Sequence, residues 1–212
     1  MKIIGVNASP RMHGNSKLAL KEVMLVAESK DAEVEVYDLN LMNFGPCHAC
    51  NYCKRKDQET FIGTGSIDKT KKSNSWMLDE GHEGICVQDD DMAKLLRSME
   101  DADALVLSTP IYFGQMTAQA KTFLDRLYAI YDSNFMERNG GIKFSLIISQ
   151  GVVNEEVFKE YITYMMNNMI TMLKFEKGDC VILTDNNKPN AIADKEEQQK
   201  AIDQLAENLK KQ

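Results

Sequence analysis

The chain has 212 residues, of which 43% are hydrophobic and 27% charged, with a formal net charge of −7. One α/β domain with an insertion is the economical reading, because the length exceeds the roughly 150-residue norm for a domain by too little for two complete ones, and the composition excludes overall disorder. The acidic balance argues against non-specific binding to nucleic acid or anionic membrane; no run nears the ~18 apolar residues that span a bilayer, and the opening apolar run is too short for a signal peptide, so the cytoplasm is the expected location.

Apolar, β-branched runs alternate with segments of helical period, the pattern of a parallel sheet with crossover helices. In chain order the sequence predicts a strand at 2–7, a helix at 16–30 and a strand at 33–38. A helix at 90–100, a strand at 104–109 and a helix at 117–131 follow. The chain then gives a strand at 144–149, a helix at 155–173, a strand at 180–184 that takes Cys180 as a core residue, and a helix at 195–209. Five strands and five helices in this order fit a doubly wound α/β sheet of the flavodoxin-like order 2-1-3-4-5, with a six-stranded dinucleotide-binding arrangement as the alternative. The exception to the alternation is 54–85, rich in Lys, Asp, Ser and Gly and without period, which reads as a long inserted loop with Trp76, Met77 and Leu78 as a hydrophobic clip.

Chemistry concentrates in the loops. Between the first strand and first helix stand Ser9, Arg11, His13, Gly14, Asn15 and Ser16. Backbone N–H groups and the positive end of a helix favour an anion there, with Ser9, Asn15 and Ser16 as donors and Arg11 as added charge. Neither G-x-G-x-x-G nor Gly-Lys-Ser/Thr is present, so a monophosphate is the better guest. A plain Asn-Ser helix cap is the structural alternative, and His13 is read as a solvated turn residue. After the third strand, Pro110, Ile111, Tyr112, Phe113 and Gly114 offer aromatic rings and amides to a flat heterocycle, where core packing is the plainer reading. Ser149, Gln150 and Gly151 form a second turn on the same edge.

Cys47, Cys50 and Cys53 are spaced C-x2-C-x2-C in a chain with five cysteines, and Cys86 lies shortly before Asp89, Asp90 and Asp91. Three thiols so close together read as ligands of an iron-sulfur cluster or zinc, not as a disulfide framework. Zinc could also exchange a thiolate for His48 or His82, and metal-free thiols, with Cys50 and Cys53 able to form a disulfide, stay open. The acidic run reads as helix capping, and Lys121, Asp125 and Arg126 as salt bridges along a helix face.

Taken together, Gly5–Arg11 with Gly14-Asn15-Ser16, Asp89-Asp90-Asp91-Met92, Ser108–Gly114 and Lys121–Arg126 resemble the NAD(P)H-dependent FMN reductase family of flavodoxin-like proteins, over most of residues 1 to about 185. The resemblance implies noncovalent FMN, with Ser9, Arg11, Asn15 and Ser16 around its phosphate and Pro110, Tyr112, Phe113 and Gly114 with Ser149, Gln150 and Gly151 near the isoalloxazine. Within that family the cysteines are similar to those of the iron-sulfur flavoproteins, which implies a 4Fe-4S cluster on Cys47, Cys50, Cys53 and Cys86. The departure is the gap: the family places its fourth cysteine a handful of residues after the third, whereas 54–85 intervenes here. The resemblance also implies a homo-oligomer, a homodimer or homotetramer, and a flavin-dependent oxidoreductase exchanging electrons with ferredoxin or NAD(P)H.

Overall fold

Strand β1 (Lys2–Asn7) is a run of small and β-branched apolar residues, buried from Ile3 onward. In a computed structural model, which describes residues 1–50, 53, 86–130 and 141–209, it pairs in parallel with β2 (Glu33–Asp38) on one side and β3 (Ala104–Tyr112) on the other. β5 (Lys143–Ser149) and β6 (Glu176–Leu183) continue the parallel sheet beyond β3, giving the order β2-β1-β3-β5-β6. This is the doubly wound flavodoxin-like order read from the sequence. One short strand is additional: β4 (Gln115–Met116) folds back antiparallel on the end of β3. The expected insertion at 54–85, with Trp76, Met77, Leu78 and His82, lies outside the described residues.

Strand side chains alternate between faces, and each face is covered. Ile3, Val106 and Ile147 point to one side, packing with Leu20, Val23 and Met24 of α1 (Asn15–Glu28) and with Ile202 and Leu205 of α5 (Glu196–Asn208). Ile4, Leu105, Leu107 and Leu146 point to the other. There they meet Leu95 and Leu96 of α2 (Asp91–Ser98), Phe123 of α3 (Ala118–Arg126), and Ile162 and Met166 of α4 (Lys159–Leu173).

Several boundaries differ from the sequence reading for local reasons. The helix expected at 155–173 opens as a 3₁₀ turn, Glu155–Phe158, because the Asn154 side chain accepts the N–H of Glu156 and tightens the first turn. The last strand begins earlier than 180, at Glu176, and carries an irregularity in its pairing with β5 between Phe144 and Leu146. A β-carbon on Gly178 would stand 2.2 Å from Ser145 Oγ, so this polar, glycine-bearing stretch fits the sheet only without a side chain there. Cys180 is not a core residue: it is exposed on this outer strand. Between α3 and α4 runs an apolar groove of about 760 Å³, with Met116, Leu124, Tyr164, Met165 and Met172 among its walls. Among the described residues no helix is long and apolar enough to cross a membrane.

Candidate functional site

In the order 2-1-3, successive crossovers leave β1 in opposite directions, so a crevice opens at the carboxyl ends of β1 and β3. The loop leaving β1 holds its own shape. Asn7 Oδ1 accepts the N–H of Ser9 (3.2 Å), Ser9 Oγ accepts that of Arg11 (3.3 Å), and Gly14 N–H donates to the Arg11 carbonyl (3.2 Å). Gly14 is required for space: a β-carbon there would stand 2.7 Å from Ser9 Oγ and 3.3 Å from Arg11 Cβ. It precedes α1, whose N-terminus receives no side-chain cap. The first-turn N–H groups and the positive helix end therefore face the loop without a competing carboxylate or hydroxyl.

Ten of the twelve residues expected around a flavin line one cavity of about 240 Å³: Ser9, Arg11, Asn15 and Ser16, then Pro110, Ile111 and Tyr112, then Ser149, Gln150 and Gly151. Arg11 lies over the Tyr112 ring, 5.7 Å from its centroid. Asn15 differs from the simple donor expected. Its amide donates to the carbonyls of Lys188 (2.8 Å) and Asn186 (3.4 Å), and its Oδ1 accepts the N–H of Ile192 (3.4 Å). The side chain thus ties down the loop after β6.

Phe113 and Gly114 stand apart from that lining. β3 runs on to Tyr112, past the expected end at Thr109, and the two residues form the tip of its hairpin with β4. Both have positive φ, +50° and +78°, the backbone of a two-residue hairpin turn. That conformation is ordinary for glycine and uncommon for an aromatic residue, and it holds the Phe113 ring fully in solvent beside the cavity mouth.

Asn186 and Asn187 complete the cavity and were not singled out from the sequence. The signal was their place just after the last strand, on the same carboxyl edge. Asn187 Nδ2 donates to the Gly151 carbonyl at 2.8 Å, and a β-carbon on Gly151 would come within 2.3 Å of Asn187 Oδ1. Gln150 Oε1 and Asn186 Oδ1 are buried without a hydrogen-bond partner among the described residues, as is Asn7 Nδ2. Buried polar atoms are rarely left so, and here they sit in or beside a cleft that already has an anion end. An uncapped helix start, an aromatic wall and unpaired amide atoms suit a phosphate-bearing heterocycle such as FMN.

A second, much smaller cavity is lined by Cys47, His48, Cys50, Cys53 and Cys86 with Gln88 and Arg126. None of the five cysteines is in a disulfide. The 54–85 gap does not separate the thiols, because the flanking segments are zipped together. Asn43 N–H donates to Asp91 Oδ2 (2.8 Å) while Asp91 N–H donates to the Asn43 carbonyl (3.3 Å), and Gln88 Nε2 donates to the Pro46 carbonyl (3.3 Å). Ala49, at φ +51°, turns the chain and donates its N–H to Cys47 Sγ (3.4 Å). The thiols line one space but are not closed on a point: among the described residues no group of three His, Cys, Asp or Glu is set to hold a metal ion. Four soft sulfur donors beside a buried cation fit an iron-sulfur cluster or zinc by donor chemistry.

The acidic run and Arg126 take on more than the sequence suggested. Asp90 does cap α2, accepting the Ala93 N–H at 3.1 Å, and Lys121 does pair with Asp125 on the exposed face of α3 at 2.5 Å. Arg126 is not on that face. It is 1% exposed and grips Asp90 with both terminal nitrogens, Nη1 to Oδ2 at 2.6 Å and Nη2 to Oδ1 at 2.9 Å. Nη1 also donates to the Gly45 carbonyl (3.0 Å) and Nη2 to Cys86 Sγ (3.4 Å). Burial works against both charges, yet their pairing prevails: the Asp90 carboxyl is held below its ordinary range and the Arg126 guanidinium above its own. The signal was in the sequence, since Ala120, Phe123 and Arg126 repeat at i, i+3, i+6 on the buried stripe of α3. His13 is exposed, as a turn residue should be.

Comparison with known proteins agrees with this architecture. The sequence pattern of the NADPH-dependent FMN reductase family matches residues 1–175. A protein named iron-sulfur flavoprotein from Methanocaldococcus jannaschii is 31% identical over a stretch covering 59% of this chain and 51% of the relative. Another of that name, from Archaeoglobus fulgidus, is 28% identical over 78% of this chain and 62% of the relative. The matched stretches thus span between about half and three-fifths of those relatives' own length. Among solved structures, NAD(P)H:quinone oxidoreductase from Methanothermobacter marburgensis superposes with a TM-score of 0.67 at 18% identity, covering 100% of this chain and 97% of that one. The FMN complex of an FMN-dependent NADH-azoreductase from Bacillus anthracis gives 0.64 at 12% identity, covering 99% and 98%. At these identities the structural likeness speaks to the fold.

Proposed function

The chain belongs to the NADPH-dependent FMN reductase family, and from that premise we propose that it is a flavin-dependent oxidoreductase that passes electrons between a reduced donor and an acceptor through FMN and a 4Fe-4S cluster. The observation that carries the two-centre reading is the gathering of Cys47, Cys50, Cys53 and Cys86 on one small cavity, next to a buried guanidinium, in a chain whose sheet edge carries a separate anion-binding cleft. The iron-sulfur flavoproteins named among the relatives support it.

FMN supplies the step between hydride and single-electron chemistry, and the cluster exchanges single electrons. The protein's contribution is placement. Ser9, Ser16, Arg11 and the first-turn N–H groups of α1 hold the phosphate. Tyr112 and Ile111 would wall the ring system, Gln150 and Asn186 would offer their unpaired oxygens to it, and Ser149 and Gly151 would let the backbone approach. Phe113 and Gly114, on the hairpin tip, would stand near the ring. Cys47, Cys50, Cys53 and Cys86 hold the cluster. None of these residues needs to act as a general acid or base.

The donor is NAD(P)H or a ferredoxin-like carrier, and the protein works in the cytoplasm as a homodimer or homotetramer. The apolar groove between α3 and α4, with Tyr164 and Met172 largely exposed, supports self-association. A zinc-holding variant of the same site is favoured by one observation, the presence of His48 in the cysteine cavity. Anaerobic titration, followed by the visible spectrum, tests the reading: NAD(P)H or reduced ferredoxin should bleach both a flavin band and a broad charge-transfer band of the cluster. Bleaching of the flavin alone leaves a cluster-free reductase.

A further inference from the structure

Among the described residues, 43–47 and 86–91 are joined by a set of hydrogen bonds, and Phe44, Cys53 and Cys86 also pack against the core. Most are exposed: the Asn43–Asp91 and Gln88–Pro46 contacts compete with water and contribute little each. The exception is Arg126, buried and reaching across from the end of α3. It touches the first segment at the Gly45 carbonyl, two residues before Cys47, and the second at both Asp90 and Cys86 Sγ. A single fork thus joins both cysteine-bearing segments. Its remaining donor, Nε–H, is buried without a partner among the described residues, in a side chain that lines the cysteine cavity.

We propose that Arg126 is the positioning residue of the four-thiol site: it holds Cys86 against the Cys47–Cys53 segment, and its charge, partly balanced by Asp90, offsets the negative charge of thiolates gathered there. This deepens the cluster reading without depending on which metal the thiols hold. A planar fork with five donors suits the task, whereas lysine, a point charge, cannot bridge three acceptors in a plane. The arrangement has an electrostatic consequence. A fixed cation beside the ligands favours the reduced, more negative state of a cluster, and a fixed anion disfavours it.

The test uses the full chain purified without oxygen, as wild type, Arg126→Gln, Arg126→Lys and Asp90→Asn; Asn preserves the helix cap. After chelation, a short bis-alkylating reagent is applied and peptides joining Cys86 to Cys47, Cys50 or Cys53 are quantified by mass. Wild type should bridge readily, Arg126→Gln at least fivefold more slowly, and Arg126→Lys in between. In parallel, iron, sulfide and zinc per chain should fall by more than half in Arg126→Gln while FMN stays unchanged. Where the cluster is retained, its midpoint should move negative in Arg126→Gln and positive in Asp90→Asn. A tenfold change in the reduction equilibrium corresponds to about 59 mV for one electron. Opposite shifts are a signature that a purely structural role would not give, and the Asp90→Asn shift decides the matter if Arg126→Gln does not fold. Equal bridging and equal metal content in wild type and both Arg126 variants would overturn the proposal. A wild type that bridges in an Arg126-dependent way but carries no iron or sulfide would instead overturn the cluster reading and leave the positioning role standing.

Discussion

The sheet-edge cleft and the cysteine cavity are built by different means. The cleft takes its walls from the ends of β1, β3 and β5, strands paired residue by residue in the middle of the sheet, so its geometry is inherited from the core. The cysteine cavity takes its walls from irregular segments and the end of α3, tied across by a buried ion pair between α2's cap and α3's last turn. A site on the sheet should tolerate loss of single polar contacts. One tied by a single buried fork should fail when either partner is removed.

Asp90→Ala offers the hardest blow to that contrast. Removing one partner of a buried pair leaves the other charge stranded, at about 3–5 kcal/mol, or a fall in Tm of roughly 6–20 °C at roughly 2–4 °C per kcal/mol for a chain this size. Calorimetry should show that loss together with loss of metal, with flavin still bound below the new Tm. A drop of a degree or two would mean that the exposed bonds suffice.

Gly14→Val works from the other side. The β-carbon would stand 2.7 Å from Ser9 Oγ, so that hydroxyl must give way and with it the bond it accepts from the Arg11 N–H. FMN affinity should fall at least tenfold, about 1.4 kcal/mol, with metal content unchanged; fluorescence titration of the apoprotein reads it. A smaller loss is expected of Arg11→Gln, which removes the cation over the Tyr112 ring. Arg11 is exposed, and an exposed ion pair is worth about 0.2–1 kcal/mol, so losing its charge beside the phosphate should weaken FMN affinity by up to about fivefold in the same titration.

The smallest effect is a control away from both sites. Hydrogen bonds from Ser98 and Tyr37 hold the Glu35 carboxyl at about 2, against an ordinary value of 4.5. A depressed carboxyl stabilises the fold above its unfolded value, and that stabilisation disappears as pH falls from about 4.5 toward 2. Glu35→Gln should therefore lower Tm slightly at neutral pH and flatten its decline through that window. Partial exposure and salt screening keep the effect small, and neither cofactor's content should change.

How much of this was legible in the sequence follows the same division. Strand positions and order could be read because buried parallel strands are continuous apolar runs and the crossovers carry helical period. β4 could not: two residues carry no period, and the turn that makes it needs a positive φ at Phe113, which no aromatic residue advertises. The early start of β6 was hidden because Glu176, Lys177, Gly178 and Asp179 look like a turn until Ser145 is seen beneath Gly178. The loops of the cleft were found from their position on the sheet edge. Asn15 reads as a phosphate donor yet its side chain braces a loop, since residue type does not reveal which of several acceptors a side chain meets. Arg126 reads from spacing as part of a helix-face salt bridge with Lys121 and Asp125, which do pair; only the i, i+3, i+6 stripe with Ala120 and Phe123 separates it from them.

On the function proposed above, the two regions hold two different redox centres. Iron, acid-labile sulfide, zinc and flavin should be counted on anaerobically purified protein. Near four iron and four sulfide per chain beside one FMN is the predicted result. One FMN with neither iron nor sulfide, before and after anaerobic reconstitution, would contradict it.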